Sequence, residues 1–221
     1  MTEHVKANRR FRVTFGRILL LVLLAVAALQ TAYINRLFRE NRLRDQQITK
    51  QEAEIKELKE KLRIVGAIEE QQKGLTTSEI QQLADVISEE SKKYFFDPLL
   101  IMALIMTESS FQKYRISDYG AQGLMQLLPT TAEDVARRRG ISWLNEFDLY
   151  NPALNAKLGI AYLFELVLKF KSLKQGVLAY NMGESTIREY RYYKAEPPSG
   201  FYNKVVGNYR MLKSKYGDAV Q

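Results

Sequence analysis

The sequence predicts a mainly α chain in three stretches: an apolar membrane-crossing helix, a long helical stalk and a helical domain. Residues 18–34, ILLLVLLAVAALQTAYI, are almost wholly apolar. Residues 34–65 repeat their apolar positions every seven, the period of a coiled-coil seam. From Leu75 onward, helix-opening and helix-closing residues recur at short intervals, and few runs alternate as strands do.

Composition removes several chemistries. The 221 residues suffice for one sizeable domain and an appendage. There is no Cys, which excludes disulfides, thiolate metal sites, a Cys nucleophile and a lipid carried on an N-terminal Cys. The single His, His4, lies in a basic tail, so neither a His-based triad nor a zinc site is expected, and no metal or cofactor is implied. The net charge of +8 is uneven. Residues 1–74 hold 15 Lys+Arg against 9 Asp+Glu, or +6; residues 75–221 hold 18 against 16, or +2. A basic excess confined to the N-terminal arm points to an anionic membrane surface rather than to nucleic acid.

Residues 1–17 read as a basic cytoplasmic tail, with Lys6, Arg9, Arg10, Arg12 and Arg17 ahead of the apolar run. Residues 18–35 read as a transmembrane anchor. The run falls slightly short of the ~20 residues that span a bilayer, and flanking Arg17, Arg36 and Arg39 can snorkel to lengthen it. Ala25-Val26-Ala27 also has the form of a signal-peptide cleavage site; length favours a retained anchor. Arg36, Arg39, Arg42 and Arg44 follow the segment almost as densely as basic residues precede it, so charge is a weak guide to orientation. A short tail inside and a domain outside is the simplest topology.

Residues 36–74 read as a helical stalk and linker. Ile34, Asn41, Ile48, Ile55 and Leu62 fall at one seam position, and Leu37, Arg44, Gln51, Leu58 and Val65 at the other. This pattern suits a parallel homodimer through residues 34–65, with Asn41 fixing register. The polar seam residues Arg44 and Gln51 suit a solvated single-helix spacer equally well. Gly66 and Gly74 bracket the expected linker.

Residues 75–221 read as one helical domain. Ser78-x-x-Gln81 has the form of a capping box, ahead of Ile80, Leu83, Ala84 and Ile87 on one helical face. Asp97-Pro98 pairs an N-cap with Pro at the first helical position and opens an apolar helix. Thr130-x-x-Glu133 is a second capping-box pattern, in a helix that Gly140 stops. Arg137, Arg138 and Arg139 in that last turn complement the helix dipole. Asn151-Pro152 opens the next helix, and further helices follow Ser172, Gly183 and Gly200.

Glu108 ends the apolar run that begins at Pro98. Apolar packing and the negative end of a helix both disfavour its ionised form and raise its pKa. A carboxyl kept protonated near neutral pH is what a glycosidase needs to protonate a leaving-group oxygen. Two further motifs carry polar and glycine residues. Ser117-Asp-Tyr-Gly120-Ala-Gln-Gly123-Leu-Met-Gln126-Leu-Leu-Pro129-Thr130 offers turn-forming Gly and the Gln126 amide, which suits sugar hydroxyls. Ala179-Tyr180-Asn181-Met182-Gly183 combines an aromatic ring, an amide and a Gly-allowed turn.

With Glu108-Ser109-Ser110-Phe111 first, these motifs in this order resemble the transglycosylase SLT family, the lysozyme-like lytic transglycosylases that cut bacterial peptidoglycan. Asn155-x-x-x-Gly159-x-x-Tyr162-Leu163 is similar to the family's segment before Ala-Tyr-Asn, and the resemblance covers about residues 78–216. It implies a lysozyme-like helical domain, with Glu108 as sole catalytic acid/base, Ser117 and Gln126 lining the sugar groove, Tyr180 near Glu108 and Asn181 beside it. It also implies peptidoglycan glycan strands as the substrate; it says nothing of the N-terminal arm, whose composition reads as a bacterial inner membrane anchor with the domain in the periplasm or extracytoplasmic space. The implied reaction cleaves the MurNAc–GlcNAc β-1,4 bond without water and leaves 1,6-anhydro-MurNAc ends. Gln112-Lys113 stands where the family often has Asn-Pro, and Met182-Gly183-Glu184-Ser185 where it often has Ala-Gly-Pro-Gly; both bear on subsite preference. Two other readings stay open: a lysozyme-type hydrolase using Asp118 as second carboxylate, and a non-catalytic membrane-tethered scaffold that binds glycan.

Overall fold

The computed structural model describes residues 3–217, with side chains from residue 15 onward. His4, Lys6, Arg9, Arg10 and Arg12 of the basic tail therefore lie outside the described side chains. The chain divides into two compact units, Met1–Ile55 and Lys56–Gln221.

In the first unit the chain is part of helix α1 (Glu3–Gln71). Among the described residues this is the one helix long and apolar enough to cross a membrane, with a mean hydropathy of 2.1 over its most apolar window and none of that window buried. A helix made of exposed leucines is not the core helix of a soluble domain, which would bury its apolar side chains. Ile34, Leu37, Ile48 and Ile55 of the heptad are likewise exposed.

The second unit holds the last turns of α1 and seven more helices: α2 (Thr77–Tyr94), α3 (Pro98–Ser109), α4 (Pro129–Arg139), α5 (Pro152–Phe170), α6 (Leu173–Met182), α7 (Glu184–Tyr192) and α8 (Gly200–Tyr216). No strand forms among the described residues; Gln122 makes isolated bridges to Ile116 and Leu127. The chain is thus mainly α, as its caps and periodicity predict.

Three local expectations change. The first capping box is Thr76 with Glu79, not Ser78 with Gln81. Both Glu79 and Gln81 could reach back, but the ionised carboxylate accepts more strongly: Glu79 takes the Thr76 amide at 2.8 Å. Thr130 is not the cap; α4 starts at Pro129, and Leu128 stands at the N-cap position with no side-chain oxygen to accept a bond. The linker expected from Gly66 to Gly74 shrinks to the residues after Gln71. Helix α1 runs through Gly66, and Ile64, Ala67 and Ile68 join the domain core. Burying these side chains outweighs the roughly 1 kcal/mol that Gly costs inside a helix.

The remaining caps form as read. Asp97 accepts from the Leu99 amide at 2.9 Å ahead of Pro98. Asn151 caps α5, Ser172 caps α6, and Gly140 ends α4 in the left-handed region. Arg138 and Arg139 of that last turn both pair with Glu165 at 2.8 Å, and so tie α4 to α5.

Helix α3 is the centre of the domain. Leu99, Ile101, Met102, Ala103, Leu104 and Ile105 are all buried, and Leu100 and Met106 are half-buried against the core. A helix apolar all round belongs in an interior. Helix α8 packs along it, and Asn208 donates to the Thr107 hydroxyl at 2.9 Å. This clamp fixes where the polar end of α3, and with it Glu108, emerges.

Candidate active site

Glu108 occupies the last turn of α3 and is half-buried. Burial pushes its pKa up to about 8, and the nearby Arg115 guanidinium opposes the rise. The carboxyl is therefore mostly protonated at neutral pH, as a general acid must be.

Behind Glu108 the chain turns on two non-glycine residues with positive φ, Ser110 at 51° and Phe111 at 59°. Such a conformation costs roughly 1–2 kcal/mol for each residue. Phe111 is fully buried, and burial of an aromatic ring offsets a cost of that size.

The turn leads into a compact loop at residues 112–127. The Ser117 hydroxyl accepts from the Ala121 amide at 3.0 Å, and the Ser117 amide donates to the Ala121 carbonyl at 2.9 Å. Gln122 and Leu127 exchange both main-chain bonds, and the Gly123 amide donates to the Arg115 carbonyl at 3.0 Å. Gly123 takes φ +79°, and a Cβ there would collide with Asn155 and the Leu149 carbonyl. Glycine is required at this position on both counts.

Gln126 closes the loop. Its side-chain amide donates to the Gly123 carbonyl at 2.9 Å and to the Arg115 carbonyl at 3.1 Å. Both donor hydrogens are thus committed to the backbone, and its carbonyl oxygen is the group left for a ligand. Tyr180, in α6, is buried, and its hydroxyl donates to the Met125 carbonyl at 2.8 Å. Burial, then the Glu108 charge and Tyr162, hold the Tyr180 pKa well above its ordinary value. Tyr162 lies against it with ring centroids 5.3 Å apart.

Gln126 and Tyr180 therefore fix the main chain of one loop, and Glu108, in α3 ahead of it, lies within electrostatic reach of Tyr180 and Arg115. Ser117 stabilises the turn at the loop's other end. Asn181 is exposed at the end of α6 and makes no hydrogen bond among the described residues. Asp118 is exposed on the turn that follows Ser117.

Asn155 has a larger part than its sequence position suggests. It is fully buried in α5. It accepts from the Met125 amide at 2.7 Å and donates to the carbonyls of Gln122 at 3.0 Å and Leu149 at 3.1 Å. An amide on the buried face of an otherwise apolar helix demands partners, and that is the signal in the sequence. Arg115, whose charge reaches Glu108, carries no comparable signal.

Two depressions lie elsewhere on the domain. One of about 740 Å³ is lined by Lys93, Arg139 and Lys157 among others, and an apolar one of about 640 Å³ by Phe96, Phe164 and Tyr202 among others. Neither includes Glu108, Gln126 or Tyr180 among its lining residues. Chemistry rather than hollow volume picks out Glu108.

The Transglycosylase SLT domain family matches residues 85–199, just over half of the chain. The chain belongs to this family. It is 41% identical over 85 residues to the membrane-bound lytic murein transglycosylase C of Histophilus somni, a match covering 38% of this chain and 23% of that protein. To the protein of the same name from Klebsiella pneumoniae it is 42% identical over 80 residues, covering 35% and 22%. The matched stretch thus spans less than a quarter of these relatives' length. An inactive mutant of the lytic transglycosylase Slt from Pseudomonas aeruginosa superimposes with a TM-score of 0.52 at 26% identity, over 62% of this chain and 24% of that one. The 70 kDa soluble lytic transglycosylase of Escherichia coli shares the fold, with a TM-score of 0.56 at 22% identity over 61% and 24%. The lysozyme-like fold class read from the motifs is therefore that of this member of the SLT family.

Proposed function

We propose that this protein is a membrane-anchored lytic transglycosylase that cleaves the MurNAc–GlcNAc β-1,4 bond of peptidoglycan and leaves 1,6-anhydro-MurNAc ends. The observation that carries the reading is Glu108, a half-buried carboxyl whose pKa is raised to about 8 by burial. Family membership and the names of the relatives support the substrate class.

In the proposed reaction, protonated Glu108 donates its proton to the glycosidic oxygen as the bond to the anomeric carbon breaks. The Glu108 carboxylate then takes the proton of the MurNAc 6-hydroxyl while that oxygen bonds to the same anomeric carbon. The proton returns to Glu108, no water is consumed, and no second protein carboxylate is needed. A nucleophile within the substrate has a high effective concentration, which is how one Glu can suffice where most glycosidases use a pair. Asp118, exposed on its turn, is a poor opposite carboxylate. Gln126 and Tyr180 hold the loop against which the sugar lies, Ser117 holds its outer turn, and Asn181 offers a free amide to the substrate.

The helix of the first unit serves as the anchor, with the basic tail in the cytoplasm and the domain outside the inner membrane. The exposed Ile34, Leu37, Ile48 and Ile55 supply the seam of a parallel homodimer. Disulfide trapping of an Ile48→Cys chain in membranes tests this part, and a purely monomeric product removes it.

The full chain, incubated with purified sacculi, is expected to release muropeptides lighter by one water than their reducing-end counterparts. Mass spectrometry reads the difference. Mainly reducing-end products would make the protein a hydrolase, and release by the E108Q chain would remove Glu108 from the chemistry.

A further inference from the structure

A group of exposed aromatic rings lies beside the loop at residues 112–127. Tyr114 is 67% exposed and Phe147 is 70% exposed. Both converge on half-buried Tyr150, with ring centroids 5.6 Å apart for Tyr114–Tyr150 and 6.5 Å for Phe147–Tyr150. Large rings ordinarily bury their area, and a contiguous exposed patch of them marks a contact surface.

The rings are held in position from beneath. The Lys113 ammonium lies 4.9 Å from the Tyr114 ring centroid and bonds both carboxylate oxygens of Glu79, at 2.7 and 3.0 Å. Phe147 rides on a short 3-10 turn, Glu146–Tyr150, that Asn145 caps by accepting from the Phe147 amide at 3.0 Å. The main chain ahead of Tyr150 is pinned where Asn155 donates to the Leu149 carbonyl at 3.1 Å. Glu79, Asn145 and Asn155 thus fix the two segments that carry the rings.

We propose that Tyr114, Tyr150 and Phe147 form a secondary carbohydrate subsite on which a β-1,4-linked strand of N-acetylated sugars stacks, beyond the bond at Glu108. This rests on the reading of Glu108 as the acid that cleaves such a strand. Continuity with that site selects the occupant. Tyr114 directly precedes Arg115, whose guanidinium acts on Glu108 and whose carbonyl receives the Gly123 and Gln126 bonds. The substituents of a β-1,4 hexosamine are equatorial, so its ring faces present C–H groups that pack on aromatic faces. Such a strand also turns its faces from one sugar to the next, and the protein rings are turned from one another by 53° and 40°. Lys113, the cation against Tyr114, is already paired with Glu79, and exposed Glu146 stands beside Phe147. That disfavours an acidic peptide as the occupant.

The test is co-sedimentation of the full chain with purified sacculi in an E108Q background, which removes turnover. Adding Y114A and F147A is expected to weaken binding about tenfold, as the loss of two stacking rings would. Circular dichroism is expected to stay unchanged, since both side chains are exposed. Tyr114→Phe, which keeps the ring, is expected to bind as the parent does. The same weakening should appear on glycan strands stripped of their peptides by an amidase. Undiminished binding of the Y114A/F147A chain overturns the subsite, and so does weakening confined to peptide-bearing strands. Failure of the Glu108 reading is seen separately, as muropeptide release into the supernatant by the E108Q chain, and the chains are compared on ice before any release so that binding is read apart from it.

Discussion

The phenolic hydroxyl of Tyr180 donates to the main-chain carbonyl of Met125 at 2.8 Å, joining residues 55 positions apart across the domain. Tyr180 is buried, so Tyr180→Phe keeps the ring and leaves a buried carbonyl without its donor. The expected cost is about 1–3 kcal/mol. Muropeptide release should fall as well, because Met125 belongs to the loop that Gln126 closes. Urea denaturation and the sacculus assay read the two effects, and a Tyr180→Phe chain unchanged in both would show that the tether carries neither.

Glu108 couples activity to pH with a definite sign. Its pKa of about 8 in the folded chain lies above the ordinary value of 4.5. On the proposed mechanism the proton donor is present below about pH 8, and release should decline as pH rises through about 8 if Glu108 limits the rate. Stability follows the same direction. Between 4.5 and 8 the folded state binds more protons than the unfolded state, so the contribution is full below 4.5 and is lost as pH rises to about 8. Glu108→Gln keeps a neutral group at all pH values. Relative to wild type it should be inactive yet gain stability as pH rises from 5 to 8, by roughly 1–3 kcal/mol once solvent access to the half-buried carboxyl is discounted. Thermal melts of both chains across that range check it; a constant difference between them would mean that burial does not shift this carboxyl.

Much of this fold was legible because it rests on short-range chemistry. Asp97-Pro98, Asn151-Pro152 and Gly140 act within one turn of themselves, and each bounds a helix as the sequence suggests. Glu108 was legible for a related reason, since an ionisable group at the end of a long apolar run is a local contradiction. Where two local patterns compete, sequence alone chose wrongly. Glu79 prevails over Gln81 because it is charged, and Gly66 stays helical because Ile64 and Ile68 find a core to enter. Gln126 reads as an amide lining the sugar groove; that its two donors go to Gly123 and Arg115, leaving the carbonyl oxygen for a ligand, is not legible in the sequence. That assignment needs the loop to be closed, which no window of sequence contains.

Asn155 offers the sharpest test of the loop's construction. Its side chain makes three hydrogen bonds to main-chain groups of Gln122, Met125 and Leu149 with no exposure to water. Asn155→Leu approximates its shape but strands the Met125 amide and the Leu149 carbonyl, while the Gln122 carbonyl keeps the Leu127 amide. The loss should reach roughly 2–5 kcal/mol, above that of a single buried bond, because two main-chain groups lose their partner at once and a third keeps only one. Limited proteolysis is expected to cut within residues 112–127 before the rest of the domain. Protection equal to wild type would show that the loop holds itself.

Two glycines inside helices should respond to Ala with opposite signs. In an open helix, Ala stabilises by about 1 kcal/mol relative to Gly. A methyl group added at Gly66 in α1 would find nothing within 4 Å, so Gly66→Ala should raise the urea midpoint. At Gly159 in α5, the added Cβ would meet the Met125 Cβ at 2.8 Å and its sulfur at 2.5 Å. Met125 cannot withdraw freely, because its amide is bonded to Asn155 and its carbonyl to Tyr180. Overpacking against a fixed backbone costs typically about 1–3 kcal/mol, which exceeds the helical gain. Gly159→Ala should therefore lower the midpoint and, by shifting Met125, reduce muropeptide release, whereas Gly66→Ala leaves release unchanged. Equal and favourable midpoint shifts in the two chains would mean that Met125 yields to the methyl, and that the α5 surface does not set the position of the loop.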